Sequence, residues 1–372
     1  MFKKAVKTII FALTCLVLVF IISAGVFFAL RFVLSIDVSG AENIPESENE
    51  SAANEADKGK DANKRVNFLL LGRDNTSGLC DVIMLVSYNV ADSSVGVVQI
   101  PRDTYAKYTE SSYKKLNGAV NVLGSEGELC AFLSKSFGIA IDHYVSLDIE
   151  ALGEIVDIIG GVEVNVPCDM RYTDAEQGLY IDIRAGRTLL DGEMAKKFVR
   201  FRSSYANGDI GRIDAQKIFL AALYKKLRTD TSVLEIGAVV ARVADKIDTS
   251  LSVPEMISLA KTAFSVSSER IRFVTLAGEG AVAKKSGASY YVLSRPSCIE
   301  IFRDMFSAEI DEEDFDKDRL FLNEDYDEFE RIYFSTAEYT VYDAATLCND
   351  GIDIEKRKRE QLNDPYALTN HT

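Results

Sequence analysis

Between Phe198 and Gln216 the chain reads Phe198-Val199-Arg200-Phe201-Arg202, then a polar loop, then Asp209-Ile210-Gly211-Arg212 and Gln216. Guanidinium groups are planar, always charged, and match phosphate oxygens two at a time. Apolar and basic residues alternate from Val199 to Arg202, so an extended backbone would send Arg200 and Arg202 to one side. Arg212 and Gln216 are four apart and would share a helix face. Asp209 and Gly211 suit the start of that helix, where unbonded backbone N–H groups favour an anion. Arginines beside a helix start are the chemistry that a phosphate or diphosphate requires.

Other charged residues fall where strands should end. Val66 to Gly72 reads as a buried strand and runs into Arg73-Asp74-Asn75. Asp81 precedes a second apolar run, Val82 to Tyr88, and Ala91-Asp92-Ser93-Ser94 has the composition of a hairpin turn into a third, Val95 to Ile100. Pro101-Arg102-Asp103-Thr104 follows at once, and Lys114-Lys115-Leu116-Asn117 comes next. In a hairpin-connected sheet such ends can gather on one edge, where ligand sites form. The alternative for any one of them is a solvated loop charge.

The elements that must hold these residues alternate. Helical patterns run from about Leu123 to Phe137 and from Ile149 to Ile159, the latter stopped by Gly160-Gly161. His143 to Ser146 and Val162 to Pro167 read as strands. Gly186 to Glu193 leads into a helix ending near Phe198, and the helix after the arginines continues from Asp214 to about Leu227. Further helices are expected near Val233–Val243 and Val253–Phe264, and late strands at Ile271–Leu276 and Ser289–Leu293. The expected fold is α/β, a three-layer αβα sandwich around a mixed central sheet.

Bulk properties narrow the chemistry. With 372 residues and a net charge of -15, the chain has ample core and no general nucleic-acid surface. The basic cluster is a local exception, which favours a small anionic ligand. There are two histidines, His143 and His371, too few for histidine-rich metal sites or Ser-His-Asp machinery. The six cysteines show no C-x-x-C spacing, and buried unpaired thiols are expected.

At the N-terminus Lys3, Lys4 and Lys7 precede an uncharged run from Thr8 to Leu30, long enough to cross a ~30 Å hydrocarbon core. The basic flank puts residues 1–7 in the cytoplasm, a span at 8–34, and the body outside. A cleaved signal peptide would carry a shorter apolar region. Residues 35–65 have almost nothing to bury and read as a flexible stalk before a globular part at 66–308. Residues 309–372 turn acidic, with Asp311-Glu312-Glu313-Asp314 and a second run from Asn323 to Glu330; such runs usually mark a solvated tail, although Ile332–Phe334 and Tyr339–Tyr342 could make short strands.

An ordered series of pieces resembles the LytR-CpsA-Psr family. They are Leu69-Leu70-Leu71-Gly72-Arg73-Asp74, Cys80-Asp81-Val82-Ile83-Met84, Ile100-Pro101-Arg102-Asp103-Thr104, Lys115-Leu116-Asn117, Ile158-Ile159-Gly160-Gly161-Val162, Leu190-Asp191-Gly192-Glu193, and the opening stretch to Gln216. Leu276-Ala277-Gly278-Glu279 and Gly287-Ala288-Ser289-Tyr290-Tyr291 also fit. The resemblance implies a membrane-anchored transferase outside the cell membrane. It would pass a glycan phosphate from a polyprenyl-diphosphate-linked precursor to a peptidoglycan hydroxyl, attaching teichoic acid, capsule or a related polymer. It also implies an arginine-lined diphosphate pocket, acidic residues for Mg²⁺ and an apolar groove for the lipid. The matching positions are Arg102, Arg200, Arg202 and Arg212 for the arginines, with Lys115 and Gln216 at further polar positions; Arg73, off the family pattern, is a further candidate diphosphate contact. The matching acids are Asp74 and Asp81 for the metal, with Asp103 and Asp209 to orient an arginine or take a proton. Two departures stand out: Cys80-Asp81-Val82 where the family often has Ser-Asp-Thr, and Asn75 where it often has arginine, with Arg73 before the aspartate instead. Helices around Leu123–Phe137, Ile149–Ile159 and Ile218–Leu227 could line the groove. A non-enzymatic binder of lipid-linked glycan and a diphosphatase using water are the competing readings.

Overall fold

The computed structural model describes residues 65–74, 77–108, 111–175, 179–205, 209–230, 244–263, 266–313, 315, 320, 329–330 and 338–363. The expected cytoplasmic tail 1–7, the span 8–34, nearly all of the stalk, the helical pattern at Val233–Val243 and the strand pattern at Ile332–Phe334 lie outside them. Among the described residues no helix is long and apolar enough to cross a membrane.

Runs that are apolar at every position need cover on both faces, and the central strands have it. β1 (Arg65–Arg73), β2 (Cys80–Asn89), β3 (Ser94–Gln99), β4 (His143–Asp148), β9 (Ile247–Thr249), β10 (Ile271–Thr275) and β14 (Tyr342–Asp343) form one seven-stranded sheet in the order β14-β10-β3-β2-β1-β4-β9. β1 pairs antiparallel with β2 and parallel with β4; β3 pairs antiparallel with β2 and parallel with β10. The sheet is therefore mixed, as the alternation of elements led us to expect.

The period-2 rule sorts the side chains into two cores. Phe68, Leu70, Met84, Val86 and Val97 point to one face. There they meet α3 (Ile149–Ile158), α4 (Gly192–Arg200), α5 (Asp209–Asp230) and α6 (Val253–Ala263). Leu69, Leu71, Ile83, Leu85 and Val98 point to the other, against α1 (Ala119–Leu123), α2 (Glu126–Phe137) and α7 (Arg295–Phe306). Phe198, Phe219 and Phe302, all essentially inaccessible to solvent, each contribute roughly 1.5–3 kcal/mol through burial.

Several local readings are corrected. The helix expected at about Leu123–Phe137 is α2, which starts at Glu126 because Gly124 takes a left-handed turn (φ 101°) that ends α1 and Ser125 caps α2 by accepting from the Glu128 N–H. The Val199–Arg202 stretch is not a strand. Asp191 caps α4 by accepting from the Met194 N–H, and the helix runs on through Arg200 before Phe201 turns extended. The alternation still separates buried Val199 and Phe201 from exposed Arg200 and Arg202. The helix after the loop begins at Asp209 itself, and the Gly160-Gly161 stop holds, both residues at positive φ (79° and 88°). Strands β5 (Val162–Val166) and β8 (Gly186–Leu190) pair with each other, as do β6 (Met170–Asp174) and β7 (Leu179–Ile183); β11 (Gly278–Ala283) pairs with β12 (Ser289–Leu293) on one side and β13 (Phe329–Glu330) on the other. Of these only β5 and β12 are foreseen from the sequence.

The described part of the acidic C-terminal stretch packs into this body. β14 pairs with β10 at the sheet edge, and α8 (Ala344–Asn363) lies on α5 and β5, burying Ala344, Leu347 and Ile354 in the first core. Cys80, Cys130 and Cys298 are buried free thiols.

Candidate active site

The ends of β1 and β2 are built around a bulge. Gly72 lies opposite Val82 and Arg73 opposite Cys80, so Asp81 is the extra residue on β2. A bulge re-aims the side chain it carries, and here that side chain is a carboxylate at the sheet edge. Gly72 is needed for the approach: a Cβ there would sit 2.9 Å from Val82 Cβ. Beyond Arg73 the chain closes a tight loop, with the Gly78 N–H donating to Asp74 O (2.8 Å) and the Asp74 N–H to Leu79 O (2.9 Å). The Asp74 carboxylate accepts from the Ser77 N–H (2.7 Å) and hydroxyl (3.0 Å).

At the end of β3, Pro101 starts a turn closed by the Thr104 N–H. Its Arg102 carbonyl accepts from the Asn117 N–H (2.9 Å), pinning the turn to the Lys115–Asn117 segment. Arg102 then becomes the hub of an ionic chain. Its Nη1 lies 2.6 Å from Asp81, its Nη2 3.7 Å from Asp209 and its Nε 4.0 Å from Asp103. Asp209, first residue of α5, is 2.7 Å from Arg212 one turn on, and Lys115 is 3.0 Å from Asp103. Burial works against the Arg102 charge, but Asp81, Asp209 and Asp103 together outweigh it and raise its pKa. Arg212 is pushed down, by burial first and by Arg102 and Arg202 next, against Asp209 and Asp81. The Nε groups of Arg102 and Arg212 are buried without a hydrogen-bond acceptor. Buried guanidinium donors left short of acceptors are a standing demand for an anion.

Below this network lies an apolar cleft of about 810 Å³, counting the solvent at its mouth. Leu70, Val82, Met84, Leu152, Phe219 and Leu220 form its walls; Arg73, Asp74, Asp81, Arg200, Arg212 and Gln216 also line it. Two of the three helices expected to line a groove, α3 and α5, contribute. The third is corrected: α2 packs on the opposite face of the sheet.

Arg102, Asp103, Lys115, Asp81, Asp209 and Arg212 are thus joined by ion pairs, and Arg73, Asp74, Arg200 and Gln216 line the same cleft as Asp81 and Arg212. Arg202 is exposed, near enough to Arg212 to affect its charge. Gln216 is engaged with protein at both ends, accepting from Gln99 Nε2 (2.7 Å) and donating to Val199 O (3.1 Å). It braces the turn that carries Arg200. Two residues escaped sequence reasoning. Glu126 is 2.6 Å from Arg73, and Asp148, which caps α3, also lines the cleft. Glu126 gave no signal, since its partner is 53 residues away.

Asp74 and Asp81 both line the cleft, and carboxylate oxygens are the hard donors that Mg²⁺ would accept. Among the described residues no group of three or more acidic, His or Cys side chains forms a metal cage.

Comparison with known proteins follows the same lines. The LytR_cpsA_psr family pattern matches residues 33–307. Over 290 residues the chain is 27% identical to polyisoprenyl-teichoic acid–peptidoglycan teichoic acid transferase TagU of Oceanobacillus iheyensis, covering 75% of this chain and 87% of that one. Over 218 residues it is 25% identical to the transferase TagV of Bacillus subtilis, covering 58% of this chain and 56%, little over half, of the relative. The crystal structure of B. subtilis TagV shares the fold, with a TM-score of 0.57 at 22% identity over 67% of this chain and 99% of that one.

Proposed function

Since the chain belongs to the LytR_cpsA_psr family, we propose that it transfers a glycan phosphate from a polyprenyl-diphosphate carrier to a peptidoglycan hydroxyl: the acceptor oxygen bonds to the glycan-side phosphorus, the diphosphate P–O bond breaks, polyprenyl phosphate leaves and the hydroxyl proton passes to solvent. The relatives' names join a polyisoprenyl-linked teichoic acid to peptidoglycan, and we extend that pairing of donor and acceptor to this protein. One observation carries the reading. Arg212, held by Asp209 with a donor to spare, lines a largely apolar cleft, and Arg102, also with a donor to spare, is joined to that cleft's wall through Asp81. A diphosphate with a hydrocarbon tail fits both halves of that description.

Phosphoryl transfer asks chiefly for positioning and for neutralisation of charge on the moving group. In this proposal Arg102, Arg200 and Arg212 grip the diphosphate, with Arg202, Arg73 and Lys115 adding positive charge around it. Asp209, shared by Arg102 and Arg212, keeps the two guanidinium groups turned toward the same point. Gln216 holds the Arg200 turn in place. The apolar walls take the polyprenyl chain and keep water from it. Asp74 and Asp81 would hold Mg²⁺, which when bound supplies further positive charge to the phosphate oxygens. Residues 8–34 would anchor the chain in the membrane, with residues 1–7 inside and the catalytic body outside, where its acceptor lies.

The deciding experiment incubates the purified full-length chain, in detergent, with a glycan-linked polyprenyl diphosphate, Mg²⁺ and peptidoglycan. Polymer joined to peptidoglycan is the expected product. Arg102→Ala and Asp81→Ala should each abolish most of it; near-normal transfer by both sinks the assignment. Free glycan phosphate would make the protein a hydrolase, and binding without turnover a sensor.

A further inference from the structure

Phosphoryl transfer sets the direction from which an acceptor can come. The attacking and leaving oxygens lie roughly in line across the phosphorus. With the polyprenyl phosphate leaving into the apolar cleft, the acceptor must enter on the side away from it. Arg102 separates the two sides. Its Nη1 pairs with Asp81, which lines the cleft, and its Nε faces Asp103, which does not.

Around Asp103 three segments are tied together by main-chain hydrogen bonds. The Asn117 N–H donates to Arg102 O and the Leu116 N–H to Thr104 O, both at 2.9 Å. From β12 the Tyr291 N–H donates to Asp103 O, and Tyr291 O accepts from the Tyr105 N–H, both at 2.8 Å. These bonds bring Tyr113 and Tyr290 to the Asp103–Lys115 pair. Tyr113 is 38% exposed, yet its ring is fixed. Its hydroxyl donates to Asn117 Oδ1 (2.7 Å), and the ring packs on Gly118, where an added Cβ would lie 2.4 Å from Tyr113 Cε1. Burial, and then the Asp103 carboxylate, push the pKa of that hydroxyl up, and Arg102 and Tyr290 act on it too, so the ring stands among all three. Tyr290, half-buried, meets Tyr105 and Phe329 edge to face and has the Lys115 ammonium 5.8 Å from its ring centre.

A ring held still in the free protein has little freedom left to lose when a ligand stacks on it. Tyrosine offers a pyranose an apolar face and a polar tip. A carboxylate accepts from sugar hydroxyls and an ammonium donates to them. Asp103 and Lys115, 3.0 Å apart, cancel in charge, so the patch suits an uncharged sugar better than a polyanion. Tyr291 turns to the other face of β12 and helps to wall a second cavity, about 1660 Å³ with open solvent included. Ile210, Asp214 and Lys217 line that cavity from the face of α5 turned away from the lipid cleft, so the acceptor side of the molecule is open.

We propose that Tyr113, Tyr290, Asp103 and Lys115 form the acceptor subsite, where an uncharged pyranose of the acceptor glycan stacks on Tyr113 and its attacking hydroxyl donates a hydrogen bond to Asp103. The acceptor role rests on the transfer reaction proposed above; the sugar binding does not. The donor's own first sugar has the same chemistry, and kinetics tell the two apart.

The chain has no tryptophan, so Tyr113→Trp introduces a single indole at the patch. Chitotetraose titrated into this full-length variant in detergent should change the indole fluorescence saturably. Adding Asp103→Asn should raise the half-saturating concentration about tenfold. In the transfer assay Tyr113→Ala should raise KM for peptidoglycan about tenfold with KM for the lipid donor unchanged. Tyr113→Phe, which keeps the ring, should restore most of the wild-type KM. A flat fluorescence response up to about 10 mM sugar, or an unchanged acceptor KM in Tyr113→Ala, overturns the proposal and leaves the transferase standing. A rise in donor KM instead would seat the donor's own sugar on the patch and overturns it as well. Saturable chitotetraose binding by a protein that transfers no polymer would remove the reaction and uphold the sugar subsite.

Discussion

Arg102 touches three carboxylates, and this makes it the group whose loss should cost most. Arg102→Ala would remove charge from the diphosphate and leave Asp81 and Asp209 facing each other's field. Transfer should fall by about 100-fold or more, measured as the initial rate of polymer attachment. Glu126→Gln should act more gently, because Glu126 holds Arg73 rather than the substrate: we expect a several-fold rise in KM for the lipid donor with kcat little changed. Away from the site, His143 stacks on Phe68 and lies 3.3 Å from Ser250 Oγ. Burial pushes its imidazole below the ordinary 6.5, against the pull of Asp142 and Glu255. The folded chain keeps it neutral, whereas the unfolded chain protonates it near the ordinary value. Its contribution to stability is therefore complete above that value and is lost as pH falls through the folded pKa. Between about pH 7.5 and about pH 5 the wild-type melting temperature should drop further than that of His143→Gln. Residue types were the most legible part of the site. Arg102, Arg212, Asp81 and Asp209 could be named because they stand in short motifs at expected strand ends and at a helix start. Glu126, Asp148 and the bracing role of Gln216 could not, since they depend on which distant side chain ends up opposite.

The sheet edge and α5 do the positioning. Gly211 in α5 faces Tyr205, and an added Cβ would lie 2.2 Å from Tyr205 Cβ. Gly211→Ala must push α5 away from the Phe201–Tyr205 turn. We expect a loss of about 1–3 kcal/mol in urea unfolding, and a drop in transfer larger than that loss explains, because Arg212 moves with the helix. Strands β1 to β3 were readable as unbroken apolar runs, and α3 from its period and its glycine stop. The β6–β7 pair was not: Arg171, Tyr172 and Thr173 are exposed in succession on β6, which leaves little apolar pattern to read. The extended reading of Val199–Arg202 holds only from Phe201, because so short a stretch does not show whether it opens as an extended segment or as the last turn of a helix. The Asp191 cap, seven residues upstream of Phe198, decided between them.

Taken as one body, the protein uses its last stretch as structure. β14 covers the edge of β10, and α8 covers α5 with Ala344, Leu347 and Ile354 while Lys358 reaches buried Asp214. A chain stopped after residue 308 should melt well below the full-length protein or fail to fold, with the thermal midpoint as the readout, because α5 and β10 would lose their cover. Charge content alone suggested a solvated tail there. The apolar residues that dock are spaced too thinly among acids to stand out.

That α5 is buried nearly all round, with a different chamber on each side, bears on the order of events. A lipid-linked donor seated in one chamber would leave the other side of the rod open, so an acceptor need not wait for the spent carrier to leave. Steady-state rates measured against both partners should give lines that cross, the mark of a joint complex, rather than the parallel lines of an enzyme that must be charged first and unloaded afterwards.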